Sequence, residues 1–234
     1  MRGSGTGKSP AFSPVAPRAA NARPAWENAR MPKLTSRTVT LADATGALPA
    51  SPARSSPPVV ETARLRLRPY RPDDARDIFA VYSDAEVTRY WSFPAWTGLA
   101  QAQAYLTQRL ALEPPSVIAW AVAERDSDRL VGTTTFFALD GPQCRAEIGY
   151  SLARSHHGRG LATEMLRGAI VHGFEVHGLE RIEADVDPRN ESTWRLLEKL
   201  GFRREGLARN RWRVGGEVAD SYLYGLLRPE FVAG

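Results

Sequence analysis

Glu147-Ile148-Gly149-Tyr150-Ser151-Leu152, followed at once by Ser155-His156-His157-Gly158-Arg159-Gly160-Leu161-Ala162, is the stretch on which the reading of this chain turns. The first six residues read as a strand. From about Leu161 to Val176 the pattern switches to a helix, with Leu161, Met165, Ala169, Ile170 and Phe174 facing inward. The glycines between them let the backbone approach a ligand closely, and the helix start offers unpaired N–H donors at the positive end of the helix dipole. That combination holds a phosphate or diphosphate without a metal. By itself, the same pattern also describes an ordinary tight connection.

A second segment begins 32 residues after Gly158: Asn190-Glu191-Ser192-Thr193-Trp194-Arg195-Leu196-Leu197-Glu198-Lys199-Leu200-Gly201-Phe202. Asn190 is a natural helix N-cap and Gly201 a natural stop. The segment Arg181 to Val186, just before it, reads as a strand with Ile182, Ala184 and Val186 on one face. Toward the N-terminus, Arg64-Leu65-Arg66-Leu67-Arg68 alternates as a half-buried strand. Pro72-Asp73-Asp74 opens a helix that runs through Tyr82. A further helix follows Thr97 to about Leu112, with Leu99, Tyr105, Leu106 and Leu110 as its apolar side. Strands are expected at about 117–124 and 130–138, joined by Arg125-Asp126-Ser127-Asp128. Two more close the chain around the hairpin dipeptide Gly215-Gly216. The sum is a single mixed α/β domain over residues 59–234.

Residues 1–58 have a different texture. They hold eight basic side chains against Glu27 and Asp43 and nine of the 17 prolines, whereas the remainder is close to neutral. A segment so poor in apolar pattern cannot bury enough surface to offset the entropy of ordering it, so it is expected to be a disordered tail. It reads as a solvated tail, as an organellar leader, or as an extension ahead of a start at Met31 or later. The stretch Gly3 to Ser9 imitates a phosphate loop, but Arg2 stands where that motif requires glycine and no strand can precede it. The positive charge belongs to the tail, so no nucleic-acid surface is expected on the folded part. No apolar run approaches the roughly 18 residues of a membrane-spanning helix. With 43% apolar residues a core is affordable, and the lone Cys144 excludes a disulfide framework and suits a reducing, cytoplasmic setting.

The ordered pair of segments, strand, glycine-rich helix start, strand, Asn-capped helix, Lys-x-Gly-Phe, resembles the Gcn5-related N-acetyltransferase (GNAT) superfamily. The branch it is most similar to acetylates protein N-termini of ribosomal type. Glu147-Ile148-Gly149-Tyr150, His157 through Glu164, Asn190 through Phe202, Glu61 through Arg68 and Asp220 through Glu230 carry the resemblance, which spans about residues 60–231. It implies the acyl-CoA N-acyltransferase fold, a twisted mixed sheet whose two central parallel strands splay apart with acetyl-CoA in the opening. Leu152, Ala153, His157, Gly158, Arg159, Gly160, Leu161, Ala162, Asn190 and Ser192 would hold the coenzyme. One departure is Ser155, where the superfamily often writes Gln or Arg.

An amine acceptor poses its own chemical requirement. An α-amine has a reference pKa of about 8 and a lysine about 10.4, so much of it is protonated at neutral pH and something must remove that proton. Glu147 is the first candidate base, since alternation places it on the face of Gly149 and Ser151 beside the expected thioester. Main-chain N–H groups near the end of that strand suit the oxyanion. Ser192, where the branch carries a serine near the sulfur, is the candidate partner of the leaving thiolate, with Tyr222 and Tyr224 as substitutes. The expected acceptor is a protein or peptide N-terminus. The alternatives are a small amine or aminoglycoside, or an acyl-CoA sensor without catalysis. No metal site is expected, because His172 and His177 are five residues apart and no second cysteine assists. Cys144 reads as a bystander, and the aromatic run Tyr90 to Trp96 as core or acceptor-pocket lining. Monomer and homodimer both remain open.

Overall fold

A computed structural model describes residues 57–111 and 117–232. The tail expected over residues 1–58, save its last two residues, lies outside the described residues, as does the helix end expected at Leu112. Eight strands form one sheet: β1 (Val60–Glu61), β2 (Leu65–Arg68), β3 (Ile118–Glu124), β4 (Leu130–Asp140), β5 (Arg145–Leu152), β6 (Arg181–Val186), β7 (Arg203–Val214) and β8 (Glu217–Leu227). Their spatial order is β1-β2-β3-β4-β5-β6-β8-β7, and β5·β6 is the one parallel pair among them. A long crossover joins that pair, as parallel geometry demands, and it consists of the glycine-rich connection and α4 (Leu161–Glu175).

Helices cover the two faces unequally. On one, α4 and α5 (Glu191–Lys199) bury a core that contains Ile148, Leu152, Leu161, Met165, Ala169, Ile182, Ala184, Leu197 and Tyr224. On the other lie α1 (Ala75–Tyr82), the single turn α2 (Ala85–Thr88) and α3 (Leu99–Ala111), packed on β3 and β4 through Tyr70, Ile78, Tyr82, Trp96 and Leu106. The turn at Pro72–Asp74 is 3₁₀, so the α-helix proper starts at Ala75. The phase of α3 also differs from the expectation. Ala102 and Leu106 are buried while Leu99 and Leu110 face outward, because the helix lies on an aromatic cluster in which the Trp96 ring packs, tilted, at 4.8 Å from Tyr82 and 5.6 Å from Tyr105. A small side chain at 102 permits that approach. The run Tyr90 to Trp96 thus serves chiefly this second core, with Trp91 and Phe93 also against Tyr82.

Candidate active site

The sheet opens at a definable place. Arg145, Ala146 and Glu147 of β5 pair with Arg181, Ile182 and Glu183 of β6, and the pairing ends there. From Ile148 to Leu152, β5 remains paired only with β4, while β6 continues with β8 as far as Val186. The main-chain groups of β5 that face away from β4 beyond Glu147 therefore have no strand partner. Tyr150 bridges the opening, its hydroxyl 3.1 Å from Thr193 Oγ1 in the first turn of α5.

Alternation fixes what faces each way. Ile148, Leu152, Ile182, Ala184 and Val186 enter the core under α4, so Glu147 and Gly149 of β5, with Glu183 and Asp185 of β6, look out on the opposite face, where Ser151 is buried against Thr133. On this face Glu183 pairs with Arg181 at 2.8 Å and Arg145 at 3.6 Å, and Glu205 pairs with Arg181. Asp185 accepts from Arg211 Nε at 2.9 Å and Trp212 Nε1 at 3.0 Å. Those two donors come from a bulge in β7 between Ala208 and Trp212, where Asn210 takes a positive φ of 53° and gives its N–H to Asp220. Glu147 makes no ion pair or hydrogen bond among the described residues. Burial, and then the nearby negative charges of Asp185 and Glu183, raise its carboxyl above the ordinary carboxylate range, against weaker pulls from Arg211 and Arg145. Exposed Phe137, paired with Glu147, and exposed Leu223, paired with Asp185, give this acidic strip apolar flanks.

At the far end of the opening, Gly158 and Gly160 take φ values of 72° and 76°, the left-handed region that favours glycine. No side chain caps α4, and the amides from Gly158 to Thr163 find no main-chain acceptor among the described residues. A group of bare donors at a helix start fits a diphosphate. His157 Nε2 lies 2.9 Å from Leu152 O, which ties the loop to the end of β5, and Ala153 N–H donates to Val131 O. Ser155, at the departure noted above, holds His156 instead: Ser155 Oγ is 2.9 Å from His156 Nδ1, whose Nε2 lies 3.1 Å from Glu124. Arg159 is exposed; Leu161 is buried beneath the loop, with Ala162 half-buried beside it.

Asn190 caps α5, its Oδ1 accepting from Thr193 N–H at 3.3 Å and from Ser192 Oγ at 3.0 Å. Ser192 is thus exposed and engaged in the cap, and no hydrogen bond links it to Glu147. Tyr224 donates its hydroxyl to Glu198 and is pushed up to about 12 by burial and by that carboxylate, which removes it from the cleft. Sequence reasoning missed Glu183, Asp185, Arg211 and Trp212. The first two were legible in principle, as the residues that alternate with Ile182, Ala184 and Val186; the last two depend on a bulge with no sequence signal. Among the described residues no cluster of His, Cys, Asp and Glu forms a metal site and no helix is long and apolar enough to cross a membrane.

A splayed parallel pair beside a bare helix start, with a carboxylate on the open face, defines a fold that presents a coenzyme thioester to an incoming nucleophile. The sequence profile described as acetyltransferase (GNAT) domain matches residues 64–203. Among relatives, the uncharacterized N-acetyltransferase YoaA of Bacillus subtilis is 38% identical over 173 residues, 74% of this chain and 98% of its own. The [ribosomal protein uS5]-alanine N-acetyltransferase of Escherichia coli is 28% identical over 51% of this chain and 62% of its own. The spermidine N(1)-acetyltransferase of the same organism is 23% identical over 72% and 89%. A solved structure, Mycobacterium smegmatis RimJ in complex with CoA-disulfide, superposes with a TM-score of 0.68 at 25% identity, covering 75% of this chain and 90% of that one. The chain belongs to the GNAT acetyltransferase family: it is an N-acetyltransferase, and acetyl-CoA is its acetyl donor.

Proposed function

We propose that the acceptor is the N-terminal α-amine of a protein or peptide, and that Glu147 is the base that deprotonates it. The observation that carries this reading is the state of the carboxylates on the open face. Glu183, Asp185 and Glu205 are each neutralised by an arginine, whereas Glu147, on the same face, has no partner among the described residues. One free carboxylate suits one ammonium. A polyamine, with several cationic centres to desolvate, calls for several unpaired acids. Phe137 and Leu223 offer apolar contact to the first side chain of such a peptide, and the relative that acts on ribosomal protein uS5 supports the same acceptor class. A cytoplasmic setting is part of the same proposal, and the unpaired lone thiol supports it.

The mechanism follows as direct transfer. Glu147 takes a proton from the ammonium, directly or through water, and the free amine attacks the thioester carbonyl carbon. Main-chain N–H groups of β5 beyond Glu147 stabilise the oxyanion. The C–S bond then breaks and an amide forms; the attacking nitrogen gives up its surplus proton, and the thiolate, within reach of Ser192, takes up one in its place. The glycine loop, with Leu152, Ala153, His157, Arg159, Leu161 and Ala162, holds the diphosphate end; Asn190 and Ser192 border the thioester end. Thiol release from acetyl-CoA against N-terminal peptides, polyamines and aminoglycosides tests the acceptor. Peptides with a free N-terminus should be the best substrates. Preferential use of spermidine or an aminoglycoside would contradict the proposal.

A further inference from the structure

The two glycines that open the phosphate-binding loop create a problem that the loop cannot solve by itself. A trans peptide unit points its C=O and its N–H in opposite directions. The unit between Arg159 and Gly160 turns by rotation at Arg159 and at Gly160, and glycine is the residue type that rotates most freely, so left alone the unit presents either its oxygen or its N–H to an anion. Only the second is attractive.

A residue 95 positions earlier settles the choice. Arg64, at the entrance to β2, donates from Nη1 to Arg159 O at 3.0 Å. With that oxygen held toward β2, the Gly160 N–H is turned the other way. Arg64 is itself held firmly: its Nε and Nη2 meet Glu164 Oε2 at 2.8 and 2.7 Å, its main-chain N–H donates to Oε1 at 2.6 Å, and Thr62 Oγ1 lies 2.7 Å from Oε1. Glu164 lies in the first turn of α4, where a lone carboxylate would repel a diphosphate; Arg64 cancels its charge. Burial works to raise the Glu164 carboxyl, but the bonds from Thr62 and Arg64 outweigh it and hold the group ionised, below the ordinary range.

We infer that Arg64 is a positioning residue for acetyl-CoA. Braced by Thr62 and Glu164, it orients the Arg159–Gly160 peptide so that the loop offers donors to the diphosphate. The inference rests on the diphosphate site described above. Its test compares acetyl-CoA with S-acetyl-pantetheine, which carries the same thioester arm without the diphosphate. Arg64→Gln should weaken kcat/KM for acetyl-CoA about tenfold, the cost of one charged hydrogen bond, and leave kcat at saturation and the rate with S-acetyl-pantetheine unchanged. Arg64→Lys should recover little of that loss, because a compact ammonium lacks the planar fork by which Nε and Nη2 hold Glu164 while Nη1 reaches Arg159 O. Full activity of the Lys variant would reduce Arg64 to a point charge and overturn its orienting role. Equal losses with both thioesters, or no loss with either, would overturn it too. An unaltered protein that uses both thioesters equally well would overturn the diphosphate site and Arg64's part in it together.

Discussion

Glu147 and Asp185 face the same side of adjacent strands, and their proximity is what tunes the proposed base. Burial raises the Glu147 carboxyl first, and Asp185 is the next cause. Removing that negative charge lowers the proton affinity of Glu147, so Asp185→Asn should shift the acid limb of the kcat/KM–pH profile to lower pH. A shift to higher pH, or none, would detach Asp185 from the base. Ser192 presents the opposite case, a hydroxyl whose visible bond is to the Asn190 cap. Because Asn190 Oδ1 keeps its bond from Thr193 N–H without it, Ser192→Ala should leave the melting temperature unchanged while slowing turnover about tenfold. Unaltered turnover would assign Ser192 to the cap alone.

Local chemistry made several elements legible at the scale of strands and helices. Asn190 caps where an Asn should, Gly201 ends α5 at φ 97°, and Gly215-Gly216 turn the terminal hairpin at positive φ. Each of these depends on the residue and its immediate neighbours. What sequence could not show were features decided by distant partners. The phase of α3 follows from Tyr82 and Trp96, the β7 bulge from Asp185 and Asp220, and the brace on the loop from Thr62 and Arg64, 100 and more residues from Glu164. The alternating arginines of β2 are another example. They suggested an exposed face, yet Arg68 is 2% exposed and meets buried Asp74 through two bonds, at 2.7 and 2.9 Å. Asp74→Asn leaves that guanidinium buried with only Asp128 for charge, and should destabilise the fold by about 3 kcal/mol in urea unfolding. A change below half a kcal/mol would show that the pair is dispensable.

The molecule as a whole divides its sheet between a sealed face and a working face. Behind the sealed one, His172 is 9% exposed and packs edge-on against Trp120 and His177, and neither imidazole has a partner for Nε2 among the described residues. Burial, with His177 beside it, lowers the His172 pKa to about 4. Since the folded value lies below that of the unfolded chain, the native state binds fewer protons between the two, and stability must fall as pH drops from about 6.5 toward 4, by on the order of 2–3 kcal/mol. His172→Phe should flatten that dependence; an equally steep acid loss in the variant would place its origin elsewhere.

If the thioester lies where β5 and β6 part and Glu147 deprotonates the amine there, Glu147→Gln should bind coenzyme A in calorimetry as tightly as the unaltered protein. It should also acetylate an N-terminal peptide at least about 100-fold more slowly at neutral pH. Turnover undiminished in Glu147→Gln, with coenzyme binding intact, would contradict the account.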